Sequence, residues 1–315
     1  MKAITKHKYG GPEVLRLEEV DKPTLKEKHV LVKVKANSVN PADWHILRGK
    51  PFLARFAFGL FKPKDPILGA DFAGIVEEVG QGVTKFKVGD RVFGEILGAA
   101  FAEYACAHED VCGLMPDGAG YTEMACMPIA GLTALQSLIT YGKLKEGETV
   151  LINGSSGGVG HFALQIAKAY GAHVTAVCSG KNVDFVKSMG ADKVIAYDKE
   201  DMHHYNELHD LVVDTIGNLD YDDYKRIGKR AVMIGFTTLG HMISVVVKNT
   251  FSKFPFTLFT AKANTEDLNT LAKLIQEGKL KPHIEKIYPY SQIPEAIGYI
   301  ESMRTRGKVA MSWEV

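Results

Sequence analysis

Apolar and polar positions along this chain change their period near its middle. Val30, Val32, Val34 and Ala36 alternate with Leu31, Lys33 and Lys35, the two-residue period of a strand with one buried face. Residues 75–79 and 90–93 are shorter strand-like runs bounded by glycines. The Gly, Pro and Asp residues of 10–12, 80–82 and 116–118 mark turns. From Glu148 onward, apolar runs alternate with helical patterns. Residues 173–178, 211–214 and 231–234 are continuous apolar runs, as strands buried on both faces require. Strands alternating with helices predict a parallel, doubly wound sheet. Residues 265–277 predict an amphipathic helix with Leu268, Leu271, Leu274 and Ile275 on one face and Gly278 as its stop. Residues 308–311 close the pattern with one more strand. The chain carries no internal repeat and no low-complexity linker.

The most specific local pattern lies at residues 150–160, Val-Leu-Ile-Asn-Gly-Ser-Ser-Gly-Gly-Val-Gly. An apolar run meets a glycine-rich turn, which opens into a helix with Phe162, Ile166 and Ala169 on one face. Gly154, Gly157, Gly158 and Gly160 allow a tight bend and a close backbone approach. Amides at a helix start face an anion, and the helix dipole favours its charge. With the strand at 173–178, the order is strand, turn, helix, strand, the context of a dinucleotide site. An ordinary turn without a ligand is the bland alternative. An NAD site places an acid at the end of the second strand to hold the ribose 2′-hydroxyl. Here that place reads Cys178-Ser179-Gly180-Lys181-Asn182, and the nearest acid is Asp184, inside the next expected helix. A hydroxyl and a cation suit a 2′-phosphate. The expected cofactor is therefore NADP(H), with Lys181 as a solvated helix-start residue the competing reading.

Composition bounds the rest. A chain of 315 residues can bury a large core and is expected to hold two domains. The formal net charge is +1, so the balance suggests neither nucleic acid nor an anionic membrane as partner. Four cysteines without a Cys-x-x-Cys pair suit a reducing compartment. The first residues lack an apolar signal core, and the greasiest stretch, 52–61, is short and interrupted by Arg55. A cytoplasmic location is expected.

The ordered set of pieces resembles the medium-chain dehydrogenase/reductase superfamily, nearly end to end. Its marks are Asn37-Ser-Val-Asn-Pro-Ala-Asp43, Leu68-Gly-Ala-Asp-Phe-Ala-Gly74, Glu77-Glu-Val-Gly80, Val88-Gly-Asp-Arg-Val-Phe-Gly94 and Ala102-Glu-Tyr-Ala105, then Gly131-Leu-Thr-Ala134, the glycine turn and Met189-Gly-Ala-Asp192. The resemblance implies a β-rich GroES-like catalytic domain over 1–124 and 257–315. It implies a Rossmann domain over 125–256, with the nicotinamide in the cleft between them. Zinc alcohol dehydrogenases of this superfamily carry Cys where this chain has Asn40, and His-Glu where it has Ala70-Asp71. The lobe of four close cysteines is also missing. The Val39-Asn40-Pro41 form resembles the zinc-independent quinone oxidoreductase branch, so no metal is expected. His203, His204 and His209, the other metal-like grouping, are expected to be solvated surface.

Carried onto this sequence, the resemblance places Asn40 and Thr133 at the nicotinamide end and Ser155, Gly157, Gly158 and Val159 at the pyrophosphate. It places Ser179, Lys181 and Tyr197 at the 2′-phosphate, and Gly217, Gly235, Phe236, Thr237 and Lys308 at further cofactor contacts. Each has a structural alternative: Asn40 as a turn residue, Thr133 as a helix-interior hydroxyl, Tyr197 as a strand-end aromatic, Lys308 as surface. The implied activity is transfer of hydride from NADPH to a quinone or an α,β-unsaturated carbonyl. An alcohol or aldehyde dehydrogenase and a non-enzymatic NADPH-binding protein are the alternatives. A homodimer acting on a small molecule is implied. Asp43, His45 and Tyr104 fall in active-site segments, but none is singled out as proton donor. Phe52, Phe56, Phe58 and Phe61 form either a lid over a lipophilic acceptor or a packing insertion, and 245–259 reads as a second apolar loop.

Overall fold

The computed structural model describes residues 1–235 and 237–313. Two compact units emerge. One comprises Met1–Leu132, Ala263–Gln276 and the chain from Pro282 onward; the other comprises Thr133–Lys262 and Glu277–Lys281. In chain order the strands are β1 (Lys2–Thr5), β2 (Arg16–Glu19), β3 (His29–Val39), β4 (Asp71–Val79), β5 (Arg91–Glu95), β6 (Tyr104–His108) and β7 (Cys112–Leu114). They continue with β8 (Thr149–Asn153), β9 (His173–Cys178), β10 (Lys193–Ala196), β11 (Leu211–Asp214), β12 (Ala231–Met233), β13 (Phe256–Leu258), β14 (Ile284–Pro289) and β15 (Lys308–Ser312).

In the first unit a sheet runs β14-β15-β3-β4-β5-β7, with β6 also on β3, and β1 pairs with β2. β3 is long enough to serve two partners on one side, β6 along its first half and β15 along its second. Val30, Val32 and Val34 are buried as the alternation predicts, but so is Leu31; of the opposite face Lys33 is exposed and Lys35 half-buried. There the register against β4 slips by one residue, and Ala36, Asn37, Ser38 and Val39 are all buried. A bulge of this kind re-aims the side chains that follow it. The pairings Val39↔Val309, Ser38↔Asp71 and Asp71↔Glu95 bring residues far apart in sequence to one end of the sheet. The helix Pro41–Arg48 starts at that end, with Asn40 as its cap residue.

The second unit is an all-parallel sheet in the order β10-β9-β8-β11-β12-β13. The order reverses between β8 and β11, and ligands of such sheets bind at the carboxyl ends beside that reversal. β8, β9 and β11 are buried along nearly their whole length, as strands covered on both faces must be. Leu151, Val177, Val212, Tyr224 and Met233 share one core cluster. Each contributes ~1.5–3 kcal/mol by leaving water.

Two expectations are corrected. The helix Gly160–Ala169 buries more than the face of Phe162 and Ile166: His161, Ala163 and Leu164 are also inside, while Ala169 is half-buried. Residues 245–259 are not a loop. They finish the helix Leu239–Thr250, whose cap Thr238 accepts from the His241 amide at 3.2 Å, and continue into β13. In the segment 49–66, Phe58 lies against the core, whereas Phe52, Phe56 and Phe61 are exposed.

Candidate active site

The end of the first unit's sheet holds a buried polar cluster. The Asp71 carboxylate accepts from Ser38 Oγ at 2.7 Å and Asn40 Nδ2 at 2.8 Å on one oxygen, and from the Ile129 amide at 3.0 Å on the other. Lys308 Nζ donates to Asn40 Oδ1 and stands 3.8 Å from Asp71 Oδ2. Lys308 is thus buried, not surface. Asn40 is both a helix cap and a member of the cluster. Its amide already donates to Asp71, and its backbone N–H donates to Asp43 Oδ2 at 2.7 Å.

The carboxyls around this cluster are shifted upward, chiefly by burial. Asp43 is pushed to about 7, with Asp71 adding repulsion. Its Oδ1 is buried with no hydrogen-bond partner. Glu95, directly across the strand pair from Asp71, is pushed to about 8 by burial, then by the charges of Asp71 and Asp43. Like charges opposite each other on adjacent strands repel. Glu95 is half-buried and so still reachable. His45 stacks on Trp44 with centroids 3.6 Å apart, and burial lowers its pKa. Tyr104 sits near Lys22 and Glu77, and its hydroxyl is held in the neutral form chiefly by desolvation.

In the second unit the glycine turn has the geometry its sequence required. Gly154 has φ of +82°, a conformation that side chains disfavour. A Cβ on Gly160 would stand 2.1 Å from the Gly154 carbonyl oxygen. A Cβ on Gly157 would instead meet only that same oxygen, at an ordinary contact distance of 3.4 Å. Among the described residues, no hydrogen bond occupies the amides of Gly158 and Val159. Both lie at the N-terminus of the helix Gly160–Ala169, an arrangement that suits a pyrophosphate. The Ser155 hydroxyl donates to the Ile152 carbonyl at 2.6 Å and accepts from the Val177 amide at 3.0 Å, so it is turned inward to tie β8 to β9.

Ser179 and Tyr197 directly follow the neighbouring ends of β9 and β10, because Ala196 pairs with Cys178, and Lys181 lies in the turn just after Ser179. Ser179 is half-buried; Lys181 and Tyr197 are exposed. Two neighbours were missed from sequence. Asp198 accepts from the Gly180 amide at 2.7 Å, and Lys199 Cε would lie 3.2 Å from a Cβ on Gly180. The signal was the length of β10, which carries these residues back beside Gly180. Gly217, at the end of β11, has φ of +71° and donates to Asp214 Oδ1 at 2.8 Å. Its carbonyl accepts from the Thr237 amide at 3.3 Å. Gly235 approaches the Thr215 carbonyl too closely for a side chain. Thr133 is buried in the helix Pro128–Leu135. Phe236 lies outside the described residues.

Residues 26–137 match the model of the alcohol dehydrogenase GroES-like domain, and 189–311 match that of zinc-binding dehydrogenase. The chloroplast envelope quinone oxidoreductase homolog of Arabidopsis thaliana is 35% identical over 94% of this chain and 93% of its own. The chain belongs to the medium-chain dehydrogenase/reductase superfamily, in its quinone oxidoreductase-like branch. It is an NAD(P)H-dependent oxidoreductase. An NADPH-dependent alkenal/one oxidoreductase of the same plant is 32% identical over 99% of this chain and 79% of its own. The structure of the quinone oxidoreductase from Coxiella burnetii superposes with a TM-score of 0.88 at 32% identity, covering 99% of both chains. The mixed fold of a parallel Rossmann sheet and a separate GroES-like β unit is that of the superfamily.

The histidines of this member are not a set. His204 pairs with Asp201 and is exposed, but His209 is buried against Tyr205, contrary to the expected solvated surface. Its backbone bridges to Gly228, which holds it inside. His203 instead joins Asp220 and Asp223 in a group whose ligand atoms lie within 4.8 Å of one another. Asp223 there is also paired with Arg226.

Proposed function

We propose that this chain is an NADPH-dependent reductase that works without a metal and delivers hydride to quinones or to the β-carbon of α,β-unsaturated carbonyls. The buried cluster of Lys308, Asn40 and Asp71 carries the reading. A catalytic zinc takes three protein ligands with nitrogen, sulfur or oxygen atoms free to coordinate. Here both Asp71 oxygens and the Asn40 oxygen already accept hydrogen bonds, and a lysine ammonium balances the carboxylate. Ala70 offers no ligand atom.

The nicotinamide supplies the hydride when bound. In this reading the free amides of Gly158 and Val159, with Gly157 giving space, hold the pyrophosphate. Ser179, Lys181 and Tyr197, joined by Lys199, hold the 2′-phosphate. Gly217, Gly235 and Thr237 supply contacts at the carboxyl ends of β11 and β12. Thr133, Asn40 and Lys308 serve the nicotinamide end. Ser155 acts only by shaping the turn. Adding hydride to an enone leaves a proton to be delivered to the adjacent carbon. Glu95, neutral near pH 7 and still reachable, is the acid this reading assigns. The relatives' printed names, a quinone oxidoreductase and an NADPH-dependent alkenal/one oxidoreductase, support the acceptor classes and the cofactor.

The reading includes a homodimer in the cytoplasm. β13 is an edge strand, and Ile243, Val247 and Phe251 on and beside the preceding helix are exposed. Light scattering and cell fractionation test these two points. The activity itself is tested by following NADPH and NADH absorbance with chelator-treated protein, against 9,10-phenanthrenequinone and a simple enone. Oxidation of NADPH that survives chelation supports the reading. Activity lost on chelation and restored by zinc would overturn it.

A further inference from the structure

The connection from the helix Pro41–Arg48 to β4 gathers several strongly exposed apolar side chains within one short segment. Phe61 is 91% exposed, Phe56 70%, Leu53 61% and Phe52 60%. Soluble surfaces rarely gather large apolar groups this densely without a partner. The segment is also a built structure. The amides of Ala54, Gly59 and Lys64 donate to the carbonyls of Pro51, Arg55 and Phe58 at 2.9, 2.8 and 2.7 Å. Tyr9 donates its hydroxyl to the Gly59 carbonyl. Arg55 Nε donates to the Gly49 carbonyl at 3.1 Å, and its guanidinium lies over the Tyr9 ring at 4.3 Å. Phe58 alone among the four phenylalanines packs against the core cluster. The others are held outward by the fold of the segment.

Charge selects the occupant. Between residues 49 and 66 the chain carries Lys50, Arg55, Lys62 and Lys64 against Asp65 alone. Lys50, Lys62 and Lys64 are exposed. A second copy docking here about a two-fold axis would set like charges against like. Aromatic side chains flanked by lysines are instead the chemistry of an interfacial lipid contact. The net charge of +1 concealed this feature because it averages over the whole chain. Among the described residues no helix is long and apolar enough to cross a membrane, so the contact is one of lying on a surface.

We propose that this segment seats the protein on an anionic lipid bilayer, with Phe52, Phe56 and Phe61 at the headgroup–acyl boundary and Lys50, Lys62 and Lys64 against lipid phosphates. The proposal does not depend on which acceptor the enzyme reduces.

The test is cosedimentation of the full chain with vesicles of phosphatidylcholine alone and of phosphatidylcholine mixed with phosphatidylglycerol. Binding is expected to the mixed vesicles only, and it should weaken as salt screens the lysines. Phe56→Ser with Phe61→Ser should lower the affinity at least ~tenfold, with the melting temperature retained because both side chains are exposed. Lys62→Glu with Lys64→Glu should remove the preference for anionic lipid. Failure to bind the mixed vesicles would overturn the proposal, as would binding that the substitutions leave intact. A phenylalanine variant of lower oligomeric mass would overturn it too, by assigning the face to a protein contact.

Discussion

The ammonium of Lys308 donates to the side-chain oxygen of Asn40, 268 residues earlier in the chain, and both are buried. The pair joins the first strand-to-helix junction of the unit to its last strand, with the Asp71 carboxylate between the two. Replacing Lys308 by Met leaves that carboxylate without its cation. The expected loss is ~3–5 kcal/mol of stability at pH 8, the cost of breaking a buried pair from one side. Protonation of Asp71 relieves the defect, so the loss should shrink toward pH 5. Adding Asp71→Asn to the variant should recover part of it. Urea unfolding of both variants at the two pH values measures this.

Glu95 and Asp43 make stability depend on pH in the opposite sense to an ordinary ion-paired acid. Their folded pKa values, about 8 and about 7, exceed their unfolded ones. The folded state therefore holds more protons between pH 4 and 8, and stability falls as pH rises through that window. Glu95→Gln should flatten the fall. Relative to wild type, the variant should be better by ~1–3 kcal/mol at pH 9 than at pH 5, partial solvent access reducing the full effect. Parallel curves for the two proteins would refute the assigned shift.

Gly160 leaves no room for a methyl group beside the Gly154 carbonyl. Because the obstacle is backbone, Gly160→Ala should cost ~2 kcal/mol or more and open the turn. Calorimetric titration should show weaker binding of both NADPH and NADH. Gly157→Ala makes only an ordinary contact, 3.4 Å from the Gly154 oxygen, and should preserve stability while weakening both cofactors.

Lys181 and Asp198 act in opposite directions on cofactor choice. Lys181→Ala should weaken NADPH more than NADH by ~1.5–3 kcal/mol, the value of a hydrogen bond to a charged group. Asp198→Asn removes a carboxylate beside the same position and should favour NADPH further, by roughly tenfold. Equal changes for both cofactors in fluorescence titrations would remove these residues from the 2′-phosphate site.

What the sequence revealed was what neighbouring residues determine. The glycine turn, its flanking strands and the 265–276 helix are local patterns, and they stand where the periodicity placed them. The Lys308–Asn40–Asp71 cluster was only partly legible, since three strands and a bulge assemble it. Asp198, Lys199 and Glu95 were missed because the register of β10 on β9 and of β5 on β4 positions them. The inward turn of the Ser155 hydroxyl was not legible, since no local pattern tells which way a turn serine points. The helix Leu239–Thr250 hid in a run of apolar residues because only Val245 among them is buried, which leaves no helical stripe to see.

The central claim is direct hydride delivery from the nicotinamide to substrate carbon without a metal. It is tested most directly with NADPH deuterated at C4, chelator-treated protein and a simple enone, reading the product by mass spectrometry. The account predicts one deuterium, fixed on the former β-carbon and not exchanging with water. A reduced product without deuterium, or no reduction until zinc is restored, would contradict it.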